Sequence, residues 1–172
     1  VLAAIAVTIA AVAYRRDEVQ RLIDLAEGQN VTLSRSFANA IWPRFSTYIT
    51  SPPVSERDAL QAQPETRAIH EIIKSLTAGL PVLKVQIFGL NGLTVYSTEP
   101  QEMGVYRTEN PGFIIAARQG KPASKLTFRD QISTFEGTVQ GRDIVETYLP
   151  VHMEGHPIEV APRQVLKAQI DR

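Results

Sequence analysis

Lys125, Thr127 and Arg129 stand two residues apart, the spacing at which a β-strand points its side chains to one face. An arginine on such a face offers a planar fork that grips a carboxylate with two hydrogen bonds, and a lysine adds a point charge. Tyr148, in the next apolar run, and Tyr96 would add aromatic walls and hydroxyl donors. Lys84 and Gln86 interrupt an otherwise strand-like stretch and suit neither a dry core nor plain solvent. Lys125, Thr127, Arg129, Tyr148 and Tyr96 together suggest a site for a small anionic molecule such as an organic acid, with Lys84 and Gln86 as further candidates on the hairpin. The plainer reading of Arg129 is a surface ion pair with Asp130 or Glu146 that binds nothing. For Lys84, Gln86 and Tyr96 it is solvated strand residues beneath a loosely packed loop.

Other chemistry is thin. The chain has no Gly-rich phosphate loop and no Gly-x-Ser-x-Gly elbow. His70-Glu71 begins a zinc-protease pattern, but Lys74 stands where the second ligand belongs, so His70 reads as a helix-surface residue. His152 and His156 are four apart, yet Gly155 and Pro157 make a turn that would not aim both at one metal. Acidic residues are scattered and no motif pairs them for acid–base work. Nothing argues for an enzyme in this segment, and no cofactor or metal is implied. Eighteen basic against 18 acidic residues leave no positive excess for a nucleic-acid footprint. The absence of cysteine removes disulfides and thiolate metal sites.

The elements that must carry the seven residues follow from periodicity. Residues 1–14 are apolar apart from Thr8 and end at Arg15-Arg16-Asp17-Glu18. At about 1.5 Å per residue this run spans about two-thirds of a bilayer core, as the outer part of a membrane helix or the apolar part of a signal peptide would. A long amphipathic helix is expected over 17–49, with Leu22, Ala26, Leu33, Phe37 and Ile41 on its apolar stripe, Asn30 its polar member, and Pro43 kinking or ending its first part. A second helix covers 64–77, with Gly79 at its C-terminus. "LKVQIFGLNGLTVYSTE" is a hairpin turning at Asn91-Gly92, with Leu83, Val85 and Ile87 facing the long helix. A long polar connection follows, with a short helix from Phe113 to Gln119. Strands are then expected at 125–132, with 134–139 as an extension, and at 144–152 and 158–160, with a turn at Gly141-Arg142-Asp143. Residues 163–172 read as helix.

Taken in order, the long helix, "SLTAGLPVLKVQIFGLNGLTVYSTE", "NPGFIIAARQGKPASKLTFRD" and "FEGTVQGRDIVETYLPVH" resemble an extracytoplasmic Cache domain, a PAS-like input domain of bacterial sensor histidine kinases, diguanylate cyclases and chemoreceptors. The resemblance implies an α+β fold, a five-stranded antiparallel sheet packed on the long N-terminal helix. It divides the chain into the end of a membrane helix (1–14), the sensor domain (15–160) and an exit linker (161–172). It also implies a small-molecule ligand, a periplasmic position at the inner membrane and an output module beyond this chain, while the apolar stripe of Leu22, Ala26, Leu33 and Phe37 makes the long helix the expected signalling element and homodimer contact. One departure stands out: Ala161-Pro162 follow the last expected strand, which is shorter than the family's.

Overall fold

The first element is one continuous helix of 49 residues, α1 (Leu2–Thr50). The computed structural model describes residues 2–134, 137–151 and 164–171. Pro43 lies inside α1 and does not end it. Proline withholds one backbone donor, but Ile41, Phe45, Tyr48 and Ile49 are buried on both sides of it, and that packing holds the helix together. Asn30 is the first fully buried position among the described side chains, and about 40 Å of helix precedes it at 1.5 Å per residue. Among the described residues, no helix is long and apolar enough to cross a membrane.

Two short helices follow, α2 (Arg57–Ala62) and α3 (Pro64–Thr77). Proline at the start of α3 has the φ that a first turn requires, and Gly79 beyond its end takes φ +75. Ile69 and Ile73 of α3 are fully buried and join Phe37, Ile41, Phe45 and Ile49 of α1 in one cluster against the sheet.

The strands are β1 (Val82–Phe88), β2 (Thr94–Ser97), β3 (Ala123–Thr134), β4 (Gly137–Val151) and β5 (Gln164–Asp171), hydrogen-bonded in the order β2-β1-β5-β4-β3. Every pairing is antiparallel. The arrangement is α+β, a long N-terminal helix over antiparallel strands, and is compatible with a PAS-like fold.

Several local expectations are corrected. The β1–β2 turn is closed by Gly92 N–H donating to Gly89 O (2.9 Å), so it is centred on Leu90-Asn91, one residue earlier than expected. Gly141-Arg142-Asp143 is no turn: β4 runs through it in constant register with β3, from Ala123↔Tyr148 to Thr134↔Gly137. Its residue types suit a turn, but cross-strand partners in one register on both sides, Arg129↔Arg142 and Gln131↔Gln140, fix it as strand, with Gly141 between them at φ +58. The segment read as an exit helix contains β5, because the facing edges of β1 and β4 offer unpaired backbone groups along 164–171. The short strand expected at 158–160, and His152 and His156, lie outside the described residues.

Candidate functional site

Period-two alternation sorts the sheet into two faces. On one, Val85 and Ile87 of β1 meet α1 and α3. Across the β1–β2 ladder Ile87 pairs with Tyr96 and Gln86 with Ser97, and directly opposed residues share a face. Tyr96 therefore lies on the helix side, against the expectation that it lines the other face. It is 1% exposed, and its hydroxyl sits 3.1 Å from His70 Nδ1 on α3. His70 is accordingly half-buried and engaged, not a plain surface residue. Leu83 is corrected in the opposite sense. An irregularity between Val82 and Lys84 shifts the register, and Leu83 packs with Ile144 and not on α1.

The second face holds the other six residues named from the sequence. Lys125 of β3 lies opposite Glu146 of β4, Thr127 opposite Ile144, and Ala123 opposite Tyr148. Arg129 Nη2 donates to Glu146 Oε1 at 2.8 Å, and the Lys125 ammonium lies 3.5 Å from Oε2. The Glu146 side chain is 1% exposed, whereas those of Arg129 and Lys125 are 47% and 50% exposed. Two half-exposed cations thus flank one buried carboxylate. The Glu146 hydrogen bond raises the Arg129 pKa above its ordinary value.

The connection between β2 and β3 roofs this face. It contains a 3₁₀ turn (Pro100–Glu102) and a short helix, α4 (Pro111–Ile114), that runs into a π turn (Ile115–Gln119) ended by Gly120 at φ +65. The Asn110 side chain caps α4 by accepting from Gly112 N and Phe113 N. Phe113 meets Phe88 edge-on at 5.8 Å between centroids, and Phe88 stacks on Tyr148 at 6.2 Å.

Lys84 and Gln86 anchor the roof. Lys84 Nζ reaches Glu99 Oε2 at 2.7 Å and Glu102 Oε1 at 3.1 Å, and Gln86 Nε2 donates to Glu102 Oε2 at 2.7 Å. Ser97 Oγ donates to Glu102 at 3.4 Å, and the Arg107 guanidinium lies 3.7 Å away. Glu102 thereby gathers the buried donors of β1 and β2 and pins the roof to the sheet.

Behind β4, Thr147 faces α1. Its Oγ1 accepts from Asn30 Nδ2 and contacts Ser124 Oγ, both at 2.8 Å. Asn30 is fully buried, so the polar member of the helical stripe is a helix–sheet contact. Consecutive residues of β4 thus touch the cationic face through Glu146 and α1 through Thr147.

No family model matches the chain, and no curated protein matches it. Among solved structures, the E. coli DcuS sensor domain matches 81% of this chain and 92% of its own at 18% identity, with a TM-score of 0.43.

Glu102 and Arg107 carry no signal in the sequence, and neither does the pairing of Glu99 with Lys84. They lie in a connection whose path no short-range pattern specifies. The register of β3 on β4 is the one signal that would have placed Glu146 opposite Lys125.

The buried tyrosines set an alkaline limit. Burial raises the pKa of Tyr48, Tyr96 and Tyr148 above the ordinary value of 10.0. A raised folded-state pKa leaves stability intact below pH 10 and removes it as pH climbs through the folded value. The melting temperature is therefore expected to hold from pH 8 to about 9.5 and to fall above about pH 10, with Tyr96→Phe flattening the fall. A Tyr96→Phe profile that overlays the wild type would remove Tyr96 from this account.

Proposed function

We propose that this chain is the extracytoplasmic signal-sensing domain of a membrane-bound sensor histidine kinase, taking a small carboxylate on the roofed face and passing the signal through α1. The observation that carries the reading is the second face of the sheet, where Lys125, Arg129 and Arg107 gather around Glu146 and Glu102 beneath a roof. Arg129 has five N–H donors and is half-exposed, so pairing with Glu146 leaves donors for a bidentate carboxylate. Tyr148 and Thr127 complete the wall, while Lys84 and Gln86 hold the roof above it. The resemblance to Cache domains supplies the kinase context and the periplasmic position, and membrane attachment through the segment before α1's packed part belongs to the same reading.

Dimerisation is part of the proposal, with a corrected surface. Phe37 is buried under the domain's own sheet and is not available to a second copy. Leu25 is 62% exposed, Leu80 is 45% exposed, and with Leu33 they line one apolar groove beside α1.

The test is thermal shift across mono-, di- and tricarboxylates and amino acids, because a ligand that binds only the native state must stabilise it, by about 2.7 kcal/mol at a hundred times its Kd. A hit is expected to weaken at least tenfold in Lys125→Ala and in Arg107→Ala. Undiminished binding in both variants would place the ligand elsewhere, and a panel with no stabilising member would remove ligand sensing from the reading.

A further inference from the structure

On the helix side of the sheet a cleft of about 650 Å³ opens between α1, the end of β4 and Gly120 at the close of the roof. Its volume falls within the range of small-molecule pockets, roughly 300–1,000 Å³. Arg35, Asn39 and Trp42 line it from α1, and Pro122, Leu149 and Val151 line it from the sheet. No acidic residue is among its described lining residues. That separates it from the roofed face, where Glu102 and Glu146 already engage the cations.

Two donors here are uncommitted among the described residues. Trp42 Nε1 is buried without a hydrogen-bond partner. Indole N–H is a donor only, and burying it unpaired costs about 1–3 kcal/mol unless something accepts from it. Arg35 is exposed and takes part in none of the ion pairs. Its helical neighbours three and four residues away are Val31, Thr32, Ala38 and Asn39, none acidic. A cation and an orphaned N–H call for an anionic acceptor, and Leu149, Val151, Pro122 and the indole face call for an apolar body.

We infer that this cleft is a second ligand site, for an apolar monocarboxylate whose carboxylate meets Arg35 and the Trp42 N–H. A ligand there bears on α1 directly, one residue before Pro43, and needs none of the residues of the roofed face.

Trp42 is the single tryptophan of the chain, so its fluorescence reports on this cleft alone. The experiment titrates the 172-residue protein with 3-phenylpropionate, with 3-phenylpropanol and acetate as controls, following Trp42 emission and, in parallel, calorimetric heat. A saturable emission change is expected with 3-phenylpropionate, at least tenfold weaker with either control. Arg35→Gln is expected to weaken it at least tenfold, with the fold checked by circular dichroism, and Lys125→Ala to leave it unchanged. No saturable binding, heat without a change at Trp42, or equal binding by Arg35→Gln would each overturn the assignment. Loss in Lys125→Ala with retention in Arg35→Gln would do so as well, while leaving the roofed site standing.

Discussion

Replacing Arg129 by alanine is expected to destabilise the fold by about 3 kcal/mol, the lower end of the range for removing one partner of a buried charge. The reason lies with the residue left behind. Glu146 is buried on β4 and cannot turn to solvent, and the Lys125 ammonium contact at 3.5 Å is longer than a hydrogen bond and does not replace the 2.8 Å contact that Arg129 makes. Glu146→Gln should therefore return most of the loss when added to Arg129→Ala, because a neutral amide of the same shape needs no counter-charge. Denaturant midpoints of the two single variants and the double variant form the cycle that measures this. Additive effects, with no recovery in the double variant, would show that Arg129 contributes packing and not charge compensation. Binding measurements on Arg129 belong in the Glu146→Gln background, where a lost ligand is not confused with a loosened sheet.

The second large effect concerns glycine in two settings. A Cβ built at Gly112 would meet the Tyr148 ring at 2.3 and 2.6 Å, and that ring is 2% exposed and stacked on Phe88. Neither the ring nor the roof can yield without opening the Phe88–Phe113–Tyr148 cluster, so Gly112→Ala is expected to cost about 2–3 kcal/mol. Gly28 lies in the exposed run of α1, and a Cβ there meets nothing within 4 Å. Gly28→Ala is expected to stabilise by about 0.5–1 kcal/mol, since alanine loses less backbone freedom on entering a helix. The same substitution should thus move the melting temperature down at 112 and up at 28. A neutral Gly112→Ala would mean the roof does not close on Tyr148 in solution.

What was legible in the sequence is what short-range chemistry decides. The bounds of α3 follow from Pro64 and Gly79, and the start of α4 from the Asn110 cap. The shared face of Lys125, Thr127 and Arg129 follows from strand parity. The Tyr96 hydroxyl suits a ligand wall by type alone, and only its position opposite Ile87 puts it on the helix side. Leu83 depended on a local irregularity that no alternation pattern displays. Residues 164–171 were read as helix because a short run such as Val165-Leu166-Lys167-Ala168 suits a helix as well as a strand. The vacant edges of β1 and β4, far away in sequence, decide between them. The Glu99 and Glu102 network was invisible for the same reason, since its partners are 15 to 18 residues apart and meet only once the roof is folded.

The length of α1 ahead of Asn30 has a mechanical consequence. About 40 Å of helix extends beyond Asn30, and with the buried positions between Asn30 and Ile49 as its anchor it forms a lever whose fulcrum is the helix–sheet interface. A tilt of about 5° at the fulcrum sweeps the far tip through roughly 3–4 Å, more than the 1–2 Å shifts that helices make at allosteric interfaces. The Asn30–Thr147 contact sits at that fulcrum, and Glu146 is the next residue along β4. A displacement at the sheet too small to alter the fold would therefore arrive at the distal end of α1 already magnified, with no rearrangement of the core needed to produce it.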